Sequence, residues 1–251
     1  MKRFRPLRTR FAQDIVAEFA VPRRDTGKVI IACLGMPSYP SGGGKIIETW
    51  TKKGYWVIVP RYRGTWESGG RFLKRSPYLD VLDVIDQLPR GFTELHDRQR
   101  FRVKPKQLTL FGRSFGGPAV LLAGRDRRVD KVVASSPVVD WLAPSKDEPL
   151  GWLGRYVREA FGEGYRYAQR DYDKLKGGTF YNPIAHASEI PGDKVLIFHA
   201  RDDRVVSWTS VYRFVKRVNC RFVSYAKGEH WLQSFERPAS IRRIEKFLRG
   251  K

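Results

Sequence analysis

Short apolar runs alternate along the chain with segments whose apolar residues are spaced as in helices. The run at 28–34 (Lys-Val-Ile-Ile-Ala-Cys-Leu) is nearly continuous, which is typical of a strand buried on both faces of a sheet. Similar runs predict strands at 55–60, 107–111, 131–135, 194–199 and 221–226, and alternation over 11–21 predicts one or two earlier strands. Helical spacing predicts helices at 43–53, 77–88, 115–123, 208–218 and 241–248.

This alternation favours the α/β class, with a mostly parallel central sheet and helices on both faces. Glycine and proline are scattered rather than gathered into linkers, so we expect a single domain over residues 1–251. Residues 142–180 are the longest stretch without a clear strand and carry several aromatic residues, which predicts a small cap or lid within that domain. Because sites in such sheets lie at the carboxyl ends of the strands, the loops that follow the strands are the places to search for chemistry.

The chain is strongly basic: 48 Lys and Arg against 26 Asp and Glu give a formal net charge of +22. Such a surface attracts polyanions such as nucleic acid or anionic lipid. The basic residues are spread along the chain, however, and no helix-turn-helix, zinc-knuckle or RNA-recognition motif accompanies them. We therefore expect no specific nucleic-acid binding and only weak binding of polyanions; the sequence leaves the oligomeric state open.

Cys33 and Cys220 are the two cysteines, too few for a disulfide framework or a four-cysteine zinc site. His186 and His199 lack metal-ligand spacing with other candidate ligands and are expected to be structural. We therefore expect neither a metal nor a cofactor. The basic segment 1–8 is followed by no continuous apolar stretch, which predicts neither a signal peptide nor a membrane span and favours a cytoplasmic location.

Residues 112–116 (Gly-Arg-Ser-Phe-Gly) fit the pattern G-x-S-x-G between the apolar run 107–111 and a helix-compatible run. A strand, a tight turn and a helix are the setting of the nucleophile elbow of the α/β-hydrolase fold. Glycines are needed there because the turn is tight and side chains beside the serine would clash. The motif predicts Ser114 as a nucleophile, and a chance match in an ordinary turn is the alternative.

A serine hydroxyl needs an adjacent general base, and in this fold the acid and then the histidine follow the serine along the chain. His230 is the last of the four histidines and lies in a turn after the strand expected at 221–226, so chain order selects it as the base. The acid belongs in the loop after the strand expected at 194–199, where Asp202 and Asp203 compete. Its role is to orient the imidazole and stabilise the imidazolium that forms.

Two backbone N–H groups are expected to bind the oxyanion of the tetrahedral intermediate. One belongs to Phe115, the residue after the nucleophile. The other comes from the loop after the strand at 28–34; because Pro37 has no N–H, Met36 is the expected donor.

Aromatic and basic residues near the proposed site are candidates for substrate binding. Trp66 and Trp231 are expected to line an acyl or alcohol pocket, and packing of the cap against the body is the alternative role. Arg63 and Arg113 flank the site, where they either favour an anionic substrate or form ordinary salt bridges.

Six segments together resemble the catalytic domain of the prolyl oligopeptidase family of serine peptidases and their esterase relatives. They are 60–65 (Pro-Arg-Tyr-Arg-Gly-Thr), 112–117 (Gly-Arg-Ser-Phe-Gly-Gly), 136–141 (Ser-Pro-Val-Val-Asp-Trp), 181–184 (Tyr-Asn-Pro-Ile), 199–206 and 228–230. The resemblance runs from about residue 28 to the end. The family's His-Gly-x-x-Asp-x-x-Val pattern is similar to 199–206 and implies Asp203 as the acid, although Ala200 replaces the usual glycine. Asp202 is then expected to be an exposed carboxylate that pairs with arginines.

The resemblance implies a serine hydrolase that works through an acyl-enzyme. Larger family members carry a β-propeller that restricts access and, in the exopeptidases, holds the substrate amino terminus. Since 27 residues precede residue 28 in this sequence, we expect no such propeller, which favours small carboxylic esters, as in a carboxylesterase. Short peptides or lactones are the alternative substrates, and a non-enzymatic polyanion-binding protein is the alternative of a different class.

Overall fold

Ten strands form in the computed structural model, which describes residues 5–250. Their bounds are β1 Leu7–Phe11, β2 Ile15–Ala20, β3 Lys28–Cys33, β4 Trp56–Pro60, β5 Phe92–Thr93, β6 Arg100–Phe101, β7 Gln107–Arg113, β8 Lys131–Ser135, β9 Val195–Ala200 and β10 Arg221–Tyr225. Each strand expected between residues 28 and 226 forms close to its expected bounds, and the short pair β5 and β6 is additional. Residues 1–4 and 251, which belong to the predicted domain, lie outside the described residues.

Eight of these strands form one sheet in the order β1-β2-β4-β3-β7-β8-β9-β10. Within this sheet of the described chain, β2 runs opposite to the other seven strands, so β1–β2 and β2–β4 are antiparallel pairs; from β4 to β10 every adjacent pair is parallel. The predicted mostly parallel sheet is therefore confirmed. Since the carboxyl ends of parallel strands meet at one edge, the loops after β3, β7, β8, β9 and β10 come together there.

Seven α-helices surround the sheet in the described part of the chain. They are α1 Gly44–Thr51, α2 Tyr78–Gln87, α3 Gly116–Ala123, α4 Leu150–Phe161, α5 Gln169–Asp173, α6 Trp208–Val218 and α7 Pro238–Leu248. Helices α1 and α7 pack on one face of the sheet, and α2, α3 and α6 pack on the other. On β3, Val29 and Ile31 face the second group while Ile30 faces the first, which explains why this run is apolar without alternation.

Two early strands form in the N-terminal segment, as predicted, but their bounds differ from those expected over 11–21. They form a hairpin in which β1 already begins at Leu7 and residues 12–14 are the turn. Ala12 and Gln13 both have positive φ (45° and 65°), as in a type I′ hairpin turn. Because such turns usually carry glycine, asparagine or aspartate at these two positions, the residues give no signal for the turn.

Residues 142–180 contain α4 and α5 and add no strand to the central sheet. Backbone hydrogen bonds join this segment to the loop after β4: the N–H of Trp66 donates to the carbonyl of Gly164 (3.0 Å), and that of Phe72 donates to Arg166 (2.8 Å). The segment is thereby held at the carboxyl edge of the sheet. No helix formed by residues 5–250 combines the length and the apolar character that a membrane crossing requires.

Candidate active site

Ser114 stands in the tight turn between β7 and α3, with φ of 51°. A positive φ is unfavourable for a residue other than glycine and persists only where the surroundings hold it. Here the N–H of Ser114 donates to the carbonyl of Ser135 (3.1 Å), and its own carbonyl accepts from the N–H groups of Gly117 (2.8 Å) and Val138 (3.1 Å). The elbow is therefore bound on both sides to the end of β8 and the loop that follows it.

The glycines around Ser114 are required because other backbone comes very close. A Cβ at Gly116 would lie 2.2 Å from the carbonyl oxygen of Cys33, and one at Gly112 would lie 2.5 Å from that of Gly116. At Gly117 a Cβ would lie 2.3 Å from the Cβ of Pro137. All three distances are far below van der Waals contact, as the sequence motif predicts.

Gly116→Ala is expected to lower the free energy of unfolding by roughly 2 kcal/mol or more, since the strand β3 must move to admit the methyl group. The urea midpoint and the m-value measure this change. Gly44→Ala is the matched control, because a Cβ at Gly44 meets nothing within 4 Å at the start of α1. A midpoint for Gly116→Ala as high as that of the control would contradict the close packing of the elbow on β3.

Asp203 and His230 are in direct contact. Asp203 follows β9, His230 follows β10, and the Oδ2 atom of the first lies 2.9 Å from the Nδ1 atom of the second. The other carboxylate oxygen accepts from the N–H groups of Val205 (2.9 Å) and Val206 (2.8 Å), which fixes its orientation. With Nδ1–H donated to the carboxylate, the Nε2 atom of His230 is left as a proton acceptor.

The charge state of Asp203 follows from its surroundings. Burial raises the pKa of this carboxyl, but the hydrogen bond from His230, the charge of His230 and the N–H of Val206 outweigh burial, so the pKa lies below its ordinary value. His199 is fully buried on β9, and its Nε2 atom lies 3.1 Å from the carbonyl of Val206 and 3.8 Å from Oδ2 of Asp203. Burial lowers the pKa of His199, so the imidazole of His199 is neutral. Asp203, whose own pKa is lowered, stays ionised beside it.

Asp202 has a role that differs from its prediction. We predicted an exposed carboxylate paired with arginines, whereas Asp202 is half-buried and binds backbone. Its Oδ1 atom accepts from the N–H of Glu229 (2.8 Å) and its Oδ2 atom from that of Gly228 (3.2 Å). Because Glu229 has φ of 50° and directly precedes His230, Asp202 stabilises the strained turn that presents the histidine.

Met36 and Phe115 lie beside Ser114 with their backbone N–H groups unused. Both residues line a cavity together with Ser114, and neither amide donates a hydrogen bond to another residue between 5 and 250. A Cβ at Gly35 would lie 3.2 Å from the Cβ of Ser114, so the loop that carries Met36 passes directly over the serine. Within residues 5–250 both amides therefore remain without a hydrogen-bond acceptor, and their role as oxyanion donors stays a prediction.

Segments 136–141 and 181–184, which carry part of the family resemblance, are hydrogen-bonded to each other and to the elbow. The hydroxyl of Tyr181 donates to the carbonyl of Phe115 (2.6 Å), and the indole N–H of Trp141 donates to the carbonyl of Tyr181 (2.8 Å). The side-chain oxygen of Asn182 accepts from the backbone N–H of Trp141 (3.2 Å). These contacts connect the loop after β8 with the chain that leads into β9.

Two cavities meet at Ser114. The larger, here called the aromatic cleft, measures about 370 Å³, and Ser114 and His230 both line it. Four aromatic side chains contribute to its apolar wall: Tyr39, Tyr156, Phe161 and Trp231. The smaller, here called the narrow cavity, measures about 70 Å³ and lies beside Met36, Phe115 and Trp141. Glu148 lines both, so this residue stands where the two meet.

The two tryptophans predicted to bind substrate are placed differently. Trp231 lines the aromatic cleft, is 63% exposed and packs edge-on against the ring of His230. Trp66 lines neither cavity at Ser114. Its indole N–H donates to the carbonyl of Ser38 (2.9 Å) and its ring packs against Phe161, so the structure places it behind the wall of the cleft. The structure therefore shows Trp66 in the alternative role, packing of the cap against the body.

Arg63 and Arg113 are both engaged in ion pairs. Arg63 binds three carboxylates, those of Asp14, Asp80 and Asp83. Arg113 donates to both carboxylate oxygens of Glu236 at 2.8 and 2.9 Å. The structure therefore shows both arginines in salt bridges, the alternative to recognition of an anionic substrate.

In residues 5–250, no group of three or more His, Cys, Asp and Glu side chains is arranged to hold a metal ion.

Comparison with known proteins gives the family. The sequence model of the prolyl oligopeptidase family matches residues 44–251. The chain belongs to this family. The resemblance inferred from the six segments is thereby confirmed, and this prolyl oligopeptidase family member is a serine hydrolase of the α/β-hydrolase superfamily. No curated protein matches it.

Solved structures with the same fold include three enzymes. An esterase from Pyrococcus furiosus superposes with a TM-score of 0.69 at 18% identity, over 99% of this chain and 91% of that one. An acylaminoacyl peptidase from Pyrococcus horikoshii superposes with a TM-score of 0.62 at 17% identity. The superposition covers 97% of this chain and 40% of the peptidase chain. A serine hydrolase from Cycloclasticus zankles gives 0.65 at 16% identity, over 98% of both chains. At these identities the likeness establishes the α/β-hydrolase fold.

Proposed function

We propose that this serine hydrolase cleaves small carboxylic esters through an acyl-enzyme on Ser114, with His230 as the general base and Asp203 as its orienting acid. The observation that carries the proposal is the 2.9 Å contact between His230 and Asp203 at the wall of the cleft that Ser114 also lines. The elbow geometry of Ser114 supports the same assignment, because it exposes the hydroxyl at the carboxyl edge of the sheet.

In the first half-reaction, the hydroxyl oxygen of Ser114 attacks the ester carbonyl and its proton passes to Nε2 of His230. The N–H groups of Met36 and Phe115 donate to the oxyanion of the tetrahedral intermediate. The intermediate collapses, the alkoxide takes the proton from His230, and the acyl group remains on the serine. Water then attacks the acyl-enzyme with His230 again as base, which releases the carboxylic acid and restores Ser114. Throughout, the ionised Asp203 stabilises the imidazolium that forms twice in the cycle.

The dimensions of the site support a small ester. A cleft of about 370 Å³ lies near the lower end of the range that is usual for small-molecule sites. We further propose that residues 142–180 act as a cap in a single domain, since Glu148, Tyr156 and Phe161 from this segment form part of the cleft wall. A cap that contributes lining side chains limits the size of the acyl and alcohol groups. Peptide or lactone cleavage would use the same groups and is tested alongside.

Labelling with a fluorophosphonate and a substrate panel test the proposal. We expect one label per chain on Ser114, and the highest kcat/KM on p-nitrophenyl esters of short acyl chains. Aminoacyl p-nitroanilides and lactones of similar size serve as the comparison substrates. Higher kcat/KM on the anilides would make the protein a peptidase, and higher kcat/KM on the lactones a lactonase. Absence of labelling would overturn the mechanism and favour a binding function for the basic surface.

A further inference from the structure

The walls of the two cavities at Ser114 have an electrostatic character opposite to that of the chain as a whole. The protein carries 48 Lys and Arg against 26 Asp and Glu, yet among residues 5–250 Arg113 is the one Lys or Arg that lines either cavity. Both carboxylate oxygens of Glu236 bind it, so it has no unmatched charge. Two carboxylates, those of Asp140 and Glu148, line the narrow cavity, and Glu148 also lines the aromatic cleft.

Glu148 has no partner for its charge within the described part of the chain. Its backbone N–H donates to the hydroxyl of Ser145 (3.0 Å), but its carboxylate makes no hydrogen bond and no ion pair there. Other carboxylates withdrawn from water are paired: Asp80 binds Arg63, and Asp171 binds Arg71. Burial raises the pKa of Glu148; the nearby charge of His230 offsets part of this rise, and the charges of Asp203 and Asp147 add to it.

The aromatic side chains that line the cleft together with Glu148 favour one class of ligand. Tyr39, Tyr156, Phe161 and Trp231 line the same space, with ring centroids of 5.6 Å between Tyr39 and Phe161 and 5.9 Å between Tyr156 and Phe161. The faces of aromatic rings attract cations, and groups of such rings bind substituted ammonium ions. A carboxylate without an ion-pair partner and four aromatic side chains in one cleft are complementary in charge to an alkylammonium group.

We propose that the aromatic cleft is a cation-binding subsite, in which Glu148 and the aromatic wall hold an alkylammonium group of the substrate while its ester carbonyl lies at Ser114. This inference rests on the proposed function and names the class of ester: one with a positively charged substituent within a few bonds of the carbonyl. Glu148 is then a specificity-determining residue.

The net charge of +22 does not oppose such binding at short range. Exposed charges are screened beyond a Debye length of about 8 Å at physiological ionic strength, whereas a cation in the cleft is in contact with Glu148. A second role for Glu148 is electrostatic stabilisation of α4, because it stands just before the N-terminus of this helix at Leu150. Loss of a purely structural role would lower activity on all substrates equally, whereas loss of cation binding would lower activity mainly on cationic esters. Kinetics on the two kinds of ester therefore separate the two roles.

An isosteric pair of esters tests the subsite. Acetylcholine and 3,3-dimethylbutyl acetate have nearly the same shape and differ by a quaternary nitrogen in place of a carbon. We expect the parent enzyme to favour the cation in kcat/KM by about tenfold or more, a difference of about 1.4 kcal/mol. Glu148→Gln should reduce this ratio severalfold, because activity on acetylcholine falls by a larger factor than activity on the neutral ester. Glu159→Gln is the matched control, since Glu159 is an exposed carboxylate of α4 that lines neither cavity.

Calorimetric titration with choline separates the subsite from the chemistry. We expect choline to bind the parent more tightly than it binds Glu148→Gln. If the neutral ester is hydrolysed but neither the ratio nor choline binding changes in Glu148→Gln, the cation subsite is overturned and the esterase function stands. If neither ester is hydrolysed while choline binding still depends on Glu148, the esterase function fails and the subsite stands. Equal loss on both esters in Glu148→Gln would indicate the structural role and overturn the inference.

Discussion

Ser114→Ala is expected to lower kcat on a short p-nitrophenyl ester by about 10⁴- to 10⁶-fold, because removal of one member of a catalytic triad abolishes nearly all of the rate enhancement that the triad provides. The fold should persist, because the hydrogen bonds that hold the elbow come from the backbone of Ser114 and not from its hydroxyl. Steady-state kinetics at saturating ester measure the loss, and the urea midpoint checks the fold. Fluorophosphonate labelling should disappear with the activity.

Ser136→Ala is the control that the fold offers for this prediction. Ser136 is also a buried serine at positive φ, 45°, in the loop after the neighbouring strand β8, and its hydroxyl has no hydrogen-bond partner in the described structure. Its replacement should leave kcat nearly unchanged. If Ser114→Ala kept a tenth of the parent activity, or if both variants lost activity equally, Ser114 would not be the nucleophile.

The positions of Ser114, Asp203 and His230 could be predicted because each follows a strand whose apolar pattern is clear. Strands β7, β9 and β10 are recognised easily, and chain order then assigns the loops. Parallel strands bring the loops at their carboxyl ends together, so the 2.9 Å contact between Asp203 and His230 follows from the topology. The choice between Asp202 and Asp203 depended on the family pattern, since both residues lie in the same loop.

The walls of the cleft could not be predicted from the same patterns. Tyr39 and Trp231 lie in loops, and Glu148 lies just before α4, where no periodicity reports which way a side chain faces. The backbone hydrogen bond from Trp66 to Gly164 connects residues about a hundred positions apart, and no local signal encodes it. For the same reason the sequence did not show that the indole of Trp66 donates to the carbonyl of Ser38 and does not line either cavity.

Asp203→Asn is expected to lower kcat by about 10⁴-fold, because it changes the tautomer of His230 rather than the geometry of the site. The N–H groups of Val205 and Val206 occupy one side-chain oxygen and will select the amide oxygen of the introduced asparagine at that position. The amide NH₂ group then faces Nδ1 of His230 and must donate to it. An imidazole that accepts at Nδ1 carries its proton on Nε2, so it cannot take the proton of Ser114.

Asp202→Asn distinguishes this effect from a general loss of charge near the histidine. Each oxygen of Asp202 accepts one backbone N–H from the turn before His230, and asparagine can replace only one of the two bonds. Loss of one such bond costs about 1 kcal/mol, so kcat should fall by about tenfold or less through a looser turn. Measured kcat values for the two variants, with urea midpoints as a check, therefore separate the roles. A larger loss in Asp202→Asn than in Asp203→Asn would exchange the roles assigned to the two neighbouring aspartates.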